Sequence, residues 1–210
     1  MTLRCISITL RPETPEWPGD TPFSCTWAWR MAEGASVNVS CLRGSPHVGT
    51  HADAPLHVRD GAAPADLLPL ASFMGPASVV DVSDRDGPIA ETDPVWDRPI
   101  AGGRLLLRTG CSIADGAFPA RWPTLSPAAV RRLLQGGLRL LAVDCPSVDE
   151  RESKSLEVHH LVFDGGACIV ENLDLRGVAP GDYYLVALPL KVAGADAAPV
   201  RAVLEPLGVA

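Results

Sequence analysis

Proline and glycine interrupt this chain every few residues, with 20 prolines and 19 glycines among 210 residues. Their combined share is well above the roughly 12% of average proteins. Proline fixes the backbone and glycine permits tight turns, so both residues mark connections between elements. We therefore expect a chain rich in loops and turns, in which several short elements are joined by shaped connections.

Short runs with strand-like patterns lie between these interruptions. Residues 4–10 and 36–42 alternate apolar and polar positions, which is the period of a half-buried strand. Further apolar runs bounded by Gly, Pro or Asp predict more central strands at 77–82, 104–109, 138–144, 167–171 and 183–190, with 199–205 as another candidate.

Two helices are predicted among these strands. One begins at Ser126-Pro127, a capping residue followed by proline, and ends at Gly136-Gly137. The other runs from about Ser155 to Asp164 and ends at Gly165-Gly166. Because strands dominate without a regular βαβ alternation, we predict a β-rich α+β fold (mixed α/β). It would be a single compact domain over residues 1–210, with a central mixed sheet or barrel and a few flanking helices.

The charge balance and the apolar runs exclude several classes of partner. Eighteen basic residues oppose 25 acidic residues, giving a net charge of −7 without a basic cluster. Nucleic acid and membrane are therefore poor candidates as partners. No apolar run is long enough to span a membrane, and the N-terminal run is too short for a signal peptide. The six cysteines lack CxxC spacing and are expected to be free and mostly buried, which predicts a cytoplasmic protein.

Three of the five histidines fall within eleven residues. His47, His51, Asp53 and His57 are all odd-numbered, so their side chains would share one face of an extended segment. A straight strand would separate His47 from His51 by about 13 Å, too far for one metal ion. The chain must therefore bend at Gly49 to bring these imidazoles together.

Imidazole nitrogen with carboxylate oxygen is the donor set of catalytic zinc, with manganese or another divalent ion as a lesser option. Structural or solvent-exposed histidines are the competing interpretation. A second group, His159, His160 and Glu171, spans a predicted helix, a Gly-Gly turn and a short strand. Taken alone, this second group favours a surface role for Glu171. Next to a metal site, the same group supplies the histidine and carboxylate ligands that a second metal ion needs.

The segment HVGTHADAPLH, residues 47–57, resembles the HxGTHxDxPxH signature of the cyclase-like metal-dependent hydrolases. Within that superfamily the chain is most similar to the bacterial kynurenine formamidases. The resemblance extends over nearly the whole chain, through residues 17–23, 144–149 and 169–173. It implies a binuclear metal centre in a β-rich domain that forms homodimers.

The resemblance also implies a role for each matching residue. One metal ion would take His47, His51 and Asp53, and Asp53 would reach the second ion as well. Glu171 would serve both ions, with His159 completing the second side. The family's histidine-to-glutamate spacing of twelve selects His159 over His160, which is left as a supporting residue.

His57 would be the proton donor or acceptor, and Trp17 would line the substrate pocket. Trp17 as an ordinary core or surface residue is the alternative, since the chain has five tryptophans.

The implied reaction is hydrolysis of N-formyl-L-kynurenine to L-kynurenine and formate in tryptophan breakdown. A related hydrolase acting on another amide or a cyclic amide, of the isatin hydrolase type, is the first alternative. A non-catalytic metal-binding protein is the second, and His57 argues against it because metal affinity does not require that residue. A serine hydrolase is excluded, since the chain contains no GxSxG motif.

Overall fold

The computed structural model describes residues 3–207, which contain thirteen strands and two α-helices. The helices are α1 (Pro127–Gln135) and α2 (Glu157–Asp164). The strands are β1 (Arg4–Cys5), β2 (Ser24–Trp29), β3 (Val39–Arg43), β4 (His51–Asp53), β5 (Met74–Asp81), β6 (Pro88–Ile89), β7 (Arg104–Arg108), β8 (Thr124–Leu125), β9 (Leu140–Val143), β10 (Cys168–Glu171), β11 (Gly181–Val186), β12 (Ala197–Pro199) and β13 (Val203–Pro206).

Nine of these strands form one mixed sheet in the order β1-β13-β11-β5-β7-β9-β10-β4-β12. The central strands β5, β7, β9 and β10 are parallel to one another, and the outer pairs are antiparallel. The sheet curls into a half-barrel, and a bridge between Ser7 and Leu173 links chain beyond β1 to chain beyond β10. The predicted β-rich α+β fold in one domain is confirmed.

Apolar side chains are buried on both faces of this sheet. In β7, Leu106 belongs to one buried cluster, while Leu105 and Leu107 belong to the other. This alternation follows from the two-residue period of a strand. Both helices pack on the face of Leu105 and Leu107, through residues such as Val130 and Val162. The middle of a central strand such as β7 is therefore apolar on both faces, as the sequence pattern indicated.

The first helix begins and ends where the sequence predicts. The Ser126 hydroxyl accepts a hydrogen bond from the Ala129 N–H, and Pro127 occupies the first turn. The second helix starts at Glu157 instead of Ser155, because Leu156 adopts a left-handed conformation with φ of 46°. Neither helix in the described range has the length and apolar content needed to cross a membrane.

Three predicted strands differ from the observed ones in length or continuity, and a fourth differs in position and burial. The strand expected at 4–10 stops at Cys5, and beyond it the Ile8 N–H donates to the Thr50 hydroxyl instead of a neighbouring strand. The run 199–205 divides between β12, which pairs with β4, and β13, which pairs with β1 and β11. The run 183–190 forms a strand only as far as Val186.

The strand expected at 36–42 is shifted to β3, and it is exposed rather than half-buried. It pairs with β2 in a separate two-stranded ribbon, which we call the β2–β3 ribbon. Trp27 and Trp29 on this ribbon are 53% and 62% exposed. All six cysteines are free, as expected, but only Cys145 and Cys168 are buried, so the expectation that most of them are buried is wrong.

Candidate metal centre

The histidine segment turns sharply before it enters the sheet as β4. Pro46 and His47 form a turn, and Gly49 adopts φ of 72°, a conformation that favours glycine. A Cβ atom at Gly49 would lie 2.5 Å from the Leu10 side chain, which would have to shift to make room for it. The bend predicted at Gly49 is confirmed. Only His51–Asp53 is extended, however, so a shared face along the whole segment is not what aligns its side chains.

This turn brings His47 back onto the two polar side chains of β4. His47 Nδ1 lies 3.1 Å from His51 Nε2 and 3.1 Å from Asp53 Oδ1. His51 Nε2 lies 3.3 Å from the same Asp53 oxygen. Three donor atoms of these residues therefore converge on one point.

A second convergence lies on the other side of Asp53. Asp53 Oδ2 and Glu171 Oε1 are each 3.4 Å from His159 Nε2. The antiparallel register sets Glu171 directly opposite His51, and Glu171 Oε2 is 3.6 Å from His51 Nε2. The two carboxylates thus stand between two sets of imidazoles. His160 belongs to neither set.

An acceptor holds the outward nitrogen of each imidazole. His51 Nδ1 lies 2.8 Å from the Gly49 carbonyl, and His159 Nδ1 lies 2.6 Å from Asp149 Oδ2. With the ring proton directed outward, a neutral imidazole presents its lone pair to the interior, as metal-binding histidines do.

His47 follows the same pattern, since its Nε2 lies 2.9 Å from Asp196 Oδ2. The sequence analysis assigned no role to Asp149 or Asp196. Asp149 lies ten residues before His159, so a search for carboxylates near the helix could have found it. Asp196 is 149 positions from His47, and only the pairing of β12 with β4 brings it close.

Within the described residues, the interior of this cluster contains buried polar atoms that have no hydrogen-bond partner in the protein. Within residues 3–207, both Asp53 oxygens and His159 Nε2 are buried without a hydrogen-bond partner. Leaving buried polar atoms unpaired is costly. A divalent cation would satisfy these oxygens and nitrogens together. The donor set therefore fits a metal ion.

The pKa values of the site residues reflect how closely these imidazoles and carboxylates are packed. Burial alone would lower the pKa of His47, but its hydrogen bond to Asp196 and the adjacent Asp53 carboxylate outweigh burial and raise this pKa to about 10. Burial would raise the pKa of Asp53, yet the surrounding histidines, His51 foremost, hold it well below its usual range.

His57 lies outside the two donor groups that share Asp53, and it forms a third group of possible donors with His47 and Asp196. It ends a short 3-10 helix that begins at Pro55, and this turn, not strand geometry, directs its ring towards the site. The ring centroid is 4.3 Å from that of His47, and its Nδ1 is 3.4 Å from Asp196 Oδ2. Its side chain is 31% exposed, so one edge of the ring can reach solvent or a ligand.

A cavity of about 530 Å³ opens onto the cluster and includes His57 in its wall. Trp17 lines the same cavity and packs edge-to-face on Phe118, with ring centroids 5.4 Å apart. The Trp17 ring centroid also lies 6.3 Å from that of Trp122. A volume of this size accommodates an aromatic small molecule. The expected pocket-lining position of Trp17 is thus compatible with the geometry.

Known proteins are similar to this chain in sequence and in fold over most of their length. A family model described as "Putative cyclase" matches residues 5–150. The chain is 41% identical over 207 residues to a kynurenine formamidase of Bordetella avium, covering 97% of each protein. It is 42% identical over 208 residues to a kynurenine formamidase of Salinibacter ruber, covering 98% of each.

Solved structures agree with this relationship. A potential metal-dependent hydrolase with cyclase activity superposes with a TM-score of 0.83 at 28% identity, covering 98% of this chain and 99% of that one. Isatin hydrolase A from Ralstonia solanacearum shares the fold with a TM-score of 0.79 at 22% identity, covering 97% and 91%. The chain therefore belongs to the cyclase family and is a hydrolase related to the kynurenine formamidases.

Proposed function

We propose that this chain is a metal-dependent arylformamidase that hydrolyses N-formyl-L-kynurenine to L-kynurenine and formate. The observation that carries the proposal is the identity of 41–42% to two kynurenine formamidases along almost the full chain. The buried imidazole–carboxylate cluster, open to a cavity with an aromatic wall, supports it.

Two divalent ions, Zn²⁺ in this proposal, would occupy the cluster. The first would be held by His47, His51 and Asp53, and the second by Asp53, His159 and Glu171. Asp53 and Glu171 would bridge, which the positions of their oxygens between the two sets of imidazoles support. Divalent ions held here supply Lewis-acid chemistry, since they polarise a carbonyl and lower the pKa of water.

The remaining groups bind substrate and move protons. Trp17 offers a flat apolar surface to the anilide ring. Because Asp196 engages His57 Nδ1, His57 Nε2 is the nitrogen available to the cavity. It would take a proton from the attacking water and return it to the departing arylamine nitrogen, which must be protonated as the C–N bond breaks.

Hydrolysis of a cyclic amide is the alternative, and the isatin hydrolase comparison shows only a shared fold at 22% identity. A substrate panel distinguishes the two. We expect the zinc-reconstituted enzyme to hydrolyse N-formyl-L-kynurenine in preference to N-formylanthranilate and isatin, and the metal-stripped protein to be inactive. Preferential turnover of isatin would contradict the formamidase assignment, and full activity after metal removal would contradict metal dependence.

Metal binding is expected to release protons. With the pKa of His47 raised to about 10, its imidazole is protonated in the metal-free protein at neutral pH. A metal ion needs the neutral ring, so binding must displace that proton, and affinity should rise with pH up to that value. Calorimetric titration with Zn²⁺ in buffers of different ionisation enthalpy should show release of at least one proton per chain. A binding enthalpy that is independent of the buffer would contradict this.

We also propose that the chain forms a homodimer through the β2–β3 ribbon. Trp27, Trp29 and Leu42 are each more than half exposed, and contiguous exposed apolar side chains commonly mark interfaces. Sedimentation should give twice the chain mass of 22.2 kDa. Changing Trp27 and Trp29 to serine should yield monomers, while Leu70→Ser, at a position 61% exposed outside the ribbon, should not. Dimers that survive the double substitution would exclude the ribbon.

A further inference from the structure

The residues that line the cavity are buried near the imidazole–carboxylate cluster and exposed and charged away from it. At the buried end lie His51, His159 and Glu171, which are at most 4% exposed. At the other end the lining residues include Glu152 and Lys154, which are exposed. A substrate whose reacting group sits against the imidazole–carboxylate cluster would therefore extend its far end towards these charged side chains.

Arg151 is positioned at this charged end by the aromatic wall. Its guanidinium carbon lies 5.5 Å from the centroid of Phe118, the ring that also packs against Trp17. Stacking of this kind fixes the plane of a guanidinium group while leaving its N–H donors free. The apolar surface for an aryl ring and the cationic group are thus parts of one wall.

The N–H donors of Arg151 make only one long ion pair within the described residues. Within residues 3–207 the guanidinium makes no hydrogen bond, and its nearest acidic neighbour is Glu152 at 3.9 Å, on a side chain that is 89% exposed. Arg104 provides the contrast, because its guanidinium donates to several backbone carbonyls, including that of Ser72. Arg151 is half-buried at the wall of a cavity with its donors available, which is the arrangement of a ligand-binding arginine.

The other charged side chains that line the cavity match an amino acid head group. Lys154 adds a second cation that forms no ion pair among the described residues, and Asp20 and Glu152 supply two carboxylates. Cationic side chains can pair with a carboxylate, and carboxylates can pair with an ammonium group. An uncharged ligand such as isatin would gain nothing from this set.

We infer that Arg151, supported by Lys154, binds the carboxylate of an α-amino acid tail on the substrate, with Asp20 and Glu152 facing its ammonium group. The inference rests on the proposed function and assigns the residues that recognise the amino acid tail of its substrate. Arg151 is then a residue that determines specificity and takes no part in bond breaking.

The test compares substrates with and without the tail. N-formyl-L-kynurenine and 2′-formamidoacetophenone share the aryl formamide, but only the first has the amino acid group. Arg151→Gln should lower kcat/KM for N-formyl-L-kynurenine by about 10- to 100-fold, mainly through KM, as expected for loss of a charged hydrogen bond. The same change should alter kcat/KM for 2′-formamidoacetophenone by less than about twofold. Arg98→Gln, at a side chain 72% exposed and outside this cavity, should affect neither substrate.

A binding measurement separates failure of the inference from failure of the proposed function. L-kynurenine should bind the parent protein more tightly than 2′-aminoacetophenone, and Arg151→Gln should remove that difference. An equal effect of Arg151→Gln on both substrates, or no preference of the parent for L-kynurenine, would overturn the inference while hydrolysis of the formamides stands. A parent enzyme that binds L-kynurenine through Arg151 but hydrolyses neither formamide would contradict the function and leave the subsite in place.

Discussion

Replacing His57 by alanine is expected to lower kcat for N-formyl-L-kynurenine by about 10²- to 10⁴-fold, the usual contribution of a positioned acid or base. The variant should keep its metal ions, because His57 stands outside both sets of converging donor atoms. An activated ester, whose leaving group departs without a proton, should lose much less activity. Steady-state kinetics on both substrates, with metal analysis of the same sample, make the comparison.

His160→Ala is the matched control for this experiment, since His160 lies outside both groups of converging donors. It should retain nearly full activity on both substrates. Loss of a full equivalent of metal from His57→Ala would make His57 a ligand and refute its acid–base role. An equal loss on the ester and the formamide would show that His57 acts without transferring a proton to the leaving group.

Asp53→Asn is expected to have the other large effect, because its two oxygens face the two sets of imidazoles. The amide has nearly the same shape but lacks the charge that holds a cation, so zinc content should fall well below the two equivalents expected for the parent. Lewis-acid chemistry is worth several kcal/mol, so activity should fall by at least about 10³-fold.

Asp164→Asn provides the control, at an exposed carboxylate paired with Arg59 outside the cavity. Circular dichroism should show that both variants remain folded. Two full equivalents of zinc and unchanged activity in Asp53→Asn would contradict the bridging role. Reduction to one firmly bound equivalent would show that Asp53 holds a single ion.

The central sheet was predictable because its strands are buried on both faces. The runs 104–109 and 138–144 contain the apolar stretches Leu105–Leu107 and Leu140–Val143, and the polar residues beside these stretches mark their limits. The helix at Pro127 was predictable from local capping chemistry alone. The β2–β3 ribbon was less predictable, since its exposed strands bury no face that would impose a pattern.

The sequence could predict which residues form the candidate site, but only part of how they are brought together. Residue spacing identified the bend at Gly49, since glycine is the residue that tolerates it. The three-residue strand β4 has no apolar pattern, so its place in the sheet could not be anticipated. Asp196 reaches His47 and His57 only through the pairing of β12 with β4, a long-range contact without a local signal.

The position of β4 in the sheet has a consequence for how the protein is made. β4 carries His51 and Asp53, yet it pairs with β10 on one side and β12 on the other, both from the C-terminal part of the chain. During synthesis the histidine segment leaves the ribosome long before either neighbour exists, so ion loading must wait until the last strands have emerged. A chain ending before Asp196 would retain all five proposed ligands and still lack the strand that aligns them.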